Sequence, residues 1–265
     1  MKKLICILMM VVLAACAEAA PPYHGTIFVD PDIITSEDPT SFKSLAGSGR
    51  GKRTMFDRRG NRWVTLNAHL FTAVFDDTKE TIEVQVNPEF DPNTAFREAS
   101  TYLRVIGQLP LSLRKGVKTV WIHKGNNDFG GGNDNLLIHT ARGEAYISKG
   151  ILAETFVHEA THTSLDALHS ANKKWIAAQK KDQGFISKYA KKNPQCEDLA
   201  ESFLLYLALR YRTDRIDKRT EELIKKTIPN RISYFDGAEL EMHPVKSAEP
   251  NNPPDENRHE PPGRE

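Results

Sequence analysis

Ile151-Leu152-Ala153-Glu154-Thr155-Phe156-Val157-His158-Glu159-Ala160-Thr161-His162-Thr163-Ser164 is the stretch around which this chain is organised. Ile151, Leu152, Phe156, Ala160, Thr163 and Ala167 recur at helical spacing, which predicts an amphipathic helix from about residue 150. His158 and His162 are four residues apart, slightly more than one turn, so both project from one face and can share an ion. Glu159 lies about 100° round the helix, where it can touch a metal-bound water without being a ligand. Neutral imidazoles suit Zn²⁺, and three protein ligands with one open position are what catalysis at zinc needs. A five-residue pattern arises by chance in some chains, and its bland reading is a pair of satisfied surface histidines. Its place in an amphipathic helix that follows a strand favours the metal.

A third ligand must come from elsewhere in the chain. The metzincin spacing fails, because residues 165 and 168 are both Leu, and Asp166 and His169 stand at other offsets. Glu197-Asp198-Leu199-Ala200-Glu201 offers two carboxylates one helical turn apart, in a segment otherwise rich in apolar residues. Buried carboxylates need a partner, and a cation supplies one. The alternative is two exposed glutamates paired with lysines. Spacing alone leaves open which of Glu197 and Glu201 is the ligand.

His-Glu-x-x-His at 158–162, followed by the Glu197-x-x-x-Glu201 helix, resembles the gluzincin branch of the zincin metallopeptidases, and among them the catalytic domain of anthrax lethal factor. The resemblance covers about residues 135 to 210. It implies Glu197 as the zinc ligand and Glu201 as the support of a histidine. It implies Glu159 as general base and a tyrosine shortly before the second motif, here Tyr189, as a helper of the oxyanion. It also implies a substrate-binding strand just before the active helix, which falls on Glu144-Ala145-Tyr146-Ile147-Ser148. One Zn²⁺ per chain and a peptide or protein substrate complete the expectation. A catalytically silent zinc-binding surface or matrix protein is the alternative, against which the intact Glu159 speaks.

Outward from the motif the chain reads as α+β, zincin-like, with a strand-rich part at 21–135, a core at 136–240 and a Pro-rich disordered tail at 241–265. Thr26–Val29, Trp63–Leu66, Leu70–Phe75 and Thr81–Val86 alternate as strands, separated by turn formers such as Arg59-Gly60-Asn61 and Asp76-Asp77. Gly47–Arg53 reads as a basic loop. Asp91 or Asn93 caps a helix ending near Gly107, and Val117–His123 and Leu136–His139 read as buried strands. The 126–135 stretch with Gly130-Gly131-Gly132 is a loop without the Lys-Ser/Thr ending of a phosphate-binding loop. Further helices are expected at 171–182, 196–212 and 214–227, the last closed by Pro229. Six of the 15 prolines follow Glu241, with almost no large apolar residue among them.

Hydrophobic content of 39% and charged content of 27% are those of a globular protein, and a formal net charge of +1 gives no argument for nucleic acid. Lys2-Lys3 followed by the apolar Leu4–Ala15 run reads as an export signal over residues 1–20, too short to span a membrane. Cleavage after Ala17-Glu18-Ala19 would release the protein. Leu13-Ala14-Ala15-Cys16 instead resembles a lipobox, which in a bacterium would anchor the chain through lipid on Cys16. Either route leads to an extracytoplasmic monomer. Only Cys196 of the three cysteines then remains in the folded part, so no internal disulfide is expected, and Cys196 reads as a small buried residue.

Overall fold

Alternation of side chains builds two cores on the two faces of one sheet. In the computed structural model of the chain, residues 20–30, 32–182 and 184–246 are described. Six strands are present among them: β1 (Phe42–Asp57), β2 (Arg62–Phe75), β3 (Thr81–Val86), β4 (Thr119–His123), β5 (Gly130–Gly132) and β6 (Asn135–His139). They form one sheet in the order β1-β2-β3-β4-β6-β5. β1, β2 and β3 are antiparallel, β3, β4 and β6 run parallel, and β5 returns antiparallel on the far edge. Val120 and Ile122 of β4, and Leu136 and Ile138 of β6, join the main core, while Trp121 and Leu137 between them join a smaller cluster on the opposite face. That is the period-2 pattern of strands covered on both sides.

Ten α-helices occur among the described residues: α1 (Pro92–Ile106), α2 (Leu111–Arg114), α3 (Thr140–Ser148), α4 (Leu152–Ser164), α5 (Asp166–His169), α6 (Lys173–Lys181), α7 (Lys188–Lys192), α8 (Asp198–Tyr211), α9 (Lys218–Thr227) and α10 (Pro229–Asp236). The fold class is thus α+β. The Asp91 carboxylate caps α1 by accepting from the Asn93 and Thr94 amides, with Pro92 preset for the first turn. α4 packs against β5 and α8. Residues Asp198 to Leu209 of α8 are all buried, which makes it a core helix. Its N-terminus is tied down by Arg231 of α10, whose Nε donates to Asp198 (2.8 Å) and whose Nη1 donates to Asp182 (3.0 Å), all three side chains fully buried. No described helix is long and apolar enough to cross a membrane.

Four expectations are corrected. Thr26–Phe28 is a 3-10 turn, because the Thr26 amide is taken by the Glu201 carboxylate (2.9 Å) and not by a strand ladder. Gly47–Arg53 lies within β1: pairing slips between Gly47 and Arg50, where Gly49 has φ +84°, and the polar residues that suggested a loop belong to an exposed edge. Glu144–Ser148 is the end of helix α3. Gly143 is a packing residue laid against the Tyr102 ring, where a Cβ would stand 2.9 Å from Cε1, and Tyr146 buries itself one turn later on the same side. The helix expected at 214–227 does end at Thr227, before Pro229, and the proline also opens α10, as it does at a first turn. The chain remains packed past Glu241, with Met242 and Val245 buried and the Arg212 guanidinium donating to the Lys246 carbonyl. The expected export signal and the rest of the tail lie outside the described residues.

Glu154 stands on the first turn of α4 and is fully buried. One carboxylate oxygen accepts from the Ile34 amide (3.1 Å) and the other has no partner among the described residues. Burial raises its pKa from 4.5 to about 8. The folded state therefore holds a proton that the unfolded chain releases, and stability present below about pH 4.5 is lost progressively up to about pH 8. Glu154→Gln keeps the acceptor and removes that loss. Thermal melts should show the variant a few degrees more stable than wild type at pH 8 and indistinguishable from it at pH 4.5; an unchanged difference between the two pH values would refute a buried, proton-holding Glu154.

Candidate metal centre

α4 and α8 meet at the three groups singled out in the sequence. His158 and His162 project from α4, and Glu197 is the residue that opens α8. The two Nε2 atoms are 3.1 Å apart, and each lies 3.2 Å from Glu197 Oε2. Ligand atoms bonded at about 2.0–2.1 Å to one tetrahedral ion stand about 3.3–3.4 Å apart. The observed triangle is smaller by only about 0.1–0.3 Å, so a single cation fits among these atoms with little movement. Among the described residues this is the one group of three His, Cys, Asp or Glu side chains close enough to hold a metal ion. Two imidazole nitrogens and one carboxylate form a donor set suited to Zn²⁺.

A carboxylate stands behind each imidazole. His158 Nδ1 is 3.4 Å from Glu201 Oε1, and the other oxygen of Glu201 is held by the Thr26 amide. His162 Nδ1 lies 2.8 Å from Asp166 Oδ2. Such partners fix ring orientation and raise the basicity of the facing nitrogen. Burial opposes charge on His158, but Glu197 and Glu201 outweigh it and raise its pKa to about 9. Burial likewise opposes charge on His162, where Asp166 and Glu197 prevail and bring it to about 10. Burial would raise the pKa of Glu197, yet the two imidazoles hold it well below the usual carboxylate range. A cation bound among these groups would take over the role of the imidazole protons, so its uptake would release them.

The centre opens into a cavity of about 740 Å³ also lined by Glu159, Tyr189, Tyr146, Phe129, Gly131 and Gly132. Glu159 is half-buried there. Tyr189 stacks on His158 with ring centroids 6.3 Å apart, and its amide donates to the His24 carbonyl (3.1 Å). Burial and then the nearby Glu197 carboxylate raise its pKa to about 12, which keeps the hydroxyl a donor at neutral pH. Tyr146 reaches the cavity from helix α3 and its hydroxyl donates to Asp128 (3.3 Å), whereas Glu144 and Ala145 are not among the described residues lining it. Cys196 is exposed in the same cavity and is not the buried residue expected.

The edge strand beside α4 is β5, from the stretch read as a loop. Gly131 presses against the helix so closely that a Cβ would collide with the Glu159 carbonyl oxygen. The Gly132 amide donates to Thr163 Oγ1 (2.8 Å), which donates in turn to the Asn135 carbonyl (2.9 Å). Sequence reading missed three contributors: Asp166, which an i, i+4 pairing with His162 would have signalled, and the remote segments carrying Arg58 and His24–Phe28, which have no periodic signature.

Gly131→Ala should therefore push β5 off α4. Against Gly47→Ala, whose Cβ meets nothing within 4 Å, it should lower the melting temperature and weaken Zn²⁺ uptake about tenfold or more in a chelator competition. Matching behaviour of the two variants would show that the close approach does not matter. Compared with known families, with curated proteins and with solved structures, the chain matches none.

Proposed function

We propose that the protein is an exported zinc-dependent metallopeptidase with a zincin-like, gluzincin-type site, in which His158, His162 and Glu197 hold one Zn²⁺. The observation that carries this reading is the near-equilateral triangle of two imidazole nitrogens and one carboxylate oxygen, with Glu159 on the same helix facing the same cavity. The leader read at residues 1–20 supports export, and Cys16 would carry the lipid if the source is bacterial.

Zinc, when bound, supplies a Lewis acid that lowers the pKa of water towards about 7 and polarises a carbonyl. Glu159 accepts the proton of the attacking water and returns it to the leaving amine. The Tyr189 hydroxyl, kept protonated, donates to the developing oxyanion. Glu201 and Asp166 orient the imidazoles. An extended substrate adds to the outer edge of β5, the strand next to α4 at the rim of the sheet, in place of the 144–148 segment. A silent metal-binding protein would need the histidines but not a carboxylate at position 159.

Metal analysis of purified protein should find about one zinc per chain. Glu159→Gln should retain the metal while turnover of a peptide library falls by about 10²–10⁴-fold. Retained turnover in that variant would remove Glu159 from the mechanism, and a wild type without zinc would end the enzyme reading. Glu197→Ala should lose the metal, whereas Glu201→Ala should keep it with about 10–100-fold weaker affinity; the reverse order would exchange their roles.

A further inference from the structure

The turn between β1 and β2 brings Arg58 to the cavity from far outside the zinc-binding helices. It is the one lysine or arginine among the described residues that line that cavity. Its guanidinium lies over the first residue of β5: a Cβ on Gly130 would stand 2.7 Å from Nη2. The side chain is exposed and makes no hydrogen bond or ion pair among the described residues. The acidic groups of the cavity do not claim it. Glu197, Glu201 and Asp166 face the two histidines, and Asp128 is engaged by Arg142 (3.2 Å) and Tyr146.

The turn that carries Arg58 is held in place from below. Asp57 accepts from the Arg59 amide and from Arg59 Nε and Nη2, and Arg59 Nη1 reaches Glu89 (2.8 Å). Glu89 in turn accepts from the Lys124 amide (2.7 Å). Under Asp57 lie His139 (3.7 Å) and His123, both fully buried and stacked 5.6 Å apart, with Asn87 at hydrogen-bond distance from His123. Burying so many polar groups is costly unless they satisfy one another. The Asp57–Arg59–Glu89 chain is satisfied in this way and ties the turn to the Lys124 amide just after β4, so Arg58 is presented on a fixed turn, which lowers the ordering cost of binding.

We infer that Arg58 is a specificity subsite that receives a carboxylate of the peptide substrate lying along β5. A guanidinium offers two parallel donors matched to a carboxylate, and none of the described acidic side chains occupies them. The carboxylate belongs to an Asp or Glu side chain near the scissile bond or to the peptide's C-terminus. This inference rests on the peptidase reading.

The test uses the zinc-loaded full chain with a library of peptides containing Glu or Gln at each position, each with a free or amidated C-terminus. Wild type should prefer the acidic member of one pair by at least about tenfold in kcat/KM. Arg58→Ala should abolish that preference while neutral peptides are cleaved as before, and Arg58→Glu should shift it towards Lys-containing peptides. A preference that follows the free terminus identifies the terminal carboxylate, and one that follows Glu identifies the side chain. If wild type cleaves nothing, the peptidase reading fails by itself. Anisotropy binding of the same peptides to zinc-loaded Glu159→Gln then decides the subsite, with acid-dependent binding lost in Glu159→Gln/Arg58→Ala supporting it. No acid preference in either assay, or an equal loss on acidic and neutral peptides in Arg58→Ala, would overturn it.

Discussion

Two imidazole nitrogens and a carboxylate oxygen held within 3.2 Å of one another form a cluster that needs positive charge at its centre, either as protons or as a metal ion. Without it the carboxylate is half-buried beside two neutral rings and the arrangement loses its electrostatic reason. With it, α4 and α8 are joined through Glu197, and the carboxylates of Glu201 and Asp166 each have an imidazole to orient. The positions of Glu159 and Tyr189 follow from the same junction, since one is the neighbour of His158 on α4 and the other stacks on its ring.

The surrounding structure keeps that junction from drifting. Arg231 between two buried aspartates fixes the start of α8, where removing one partner would leave uncompensated buried charge at a cost of about 3–5 kcal/mol. On the other side, a strand of three glycines lets backbone approach the carbonyl of Glu159 without a side chain between them. The 23–28 segment closes the third side, binding α7 through the Tyr23 and His24 carbonyls and Glu201 through the Thr26 amide. Each wall of the cavity therefore comes from a different part of the chain, so its geometry depends on the packed fold as a whole.

The helix bearing His158 and His162, the later helix bearing Glu197 and Glu201, the capped α1 and strand β3 were legible because each repeats its apolar residues at the period of its own element, and β4 and β6 because each is a short continuous apolar run. The short elements were not. Glu144–Ser148 falls where the resemblance puts a strand, yet what decides its conformation is the space beside Tyr102 that only Gly143 can fill. β5 has no side chains to pattern, and Gly47–Arg53 carries an exposed strand's polarity. Within the site, the two histidines were readable from spacing, whereas spacing left Glu197 and Glu201 open and only the gluzincin resemblance chose Glu197; Asp166 fits no metzincin ligand offset, and its i, i+4 place as a support of His162 is legible only once that role is asked for. Arg58 and His24–Phe28 reach the cavity through tertiary packing, which leaves no local trace in a sequence.

X-ray absorption at the zinc edge reads the coordination sphere directly. The purified protein should show a shell of nitrogen and oxygen donors at about 2.0–2.1 Å with the outer-shell scattering of two imidazoles. A sulfur shell near about 2.3 Å would place Cys196 on the metal in place of Glu197, and absence of zinc would contradict the account altogether.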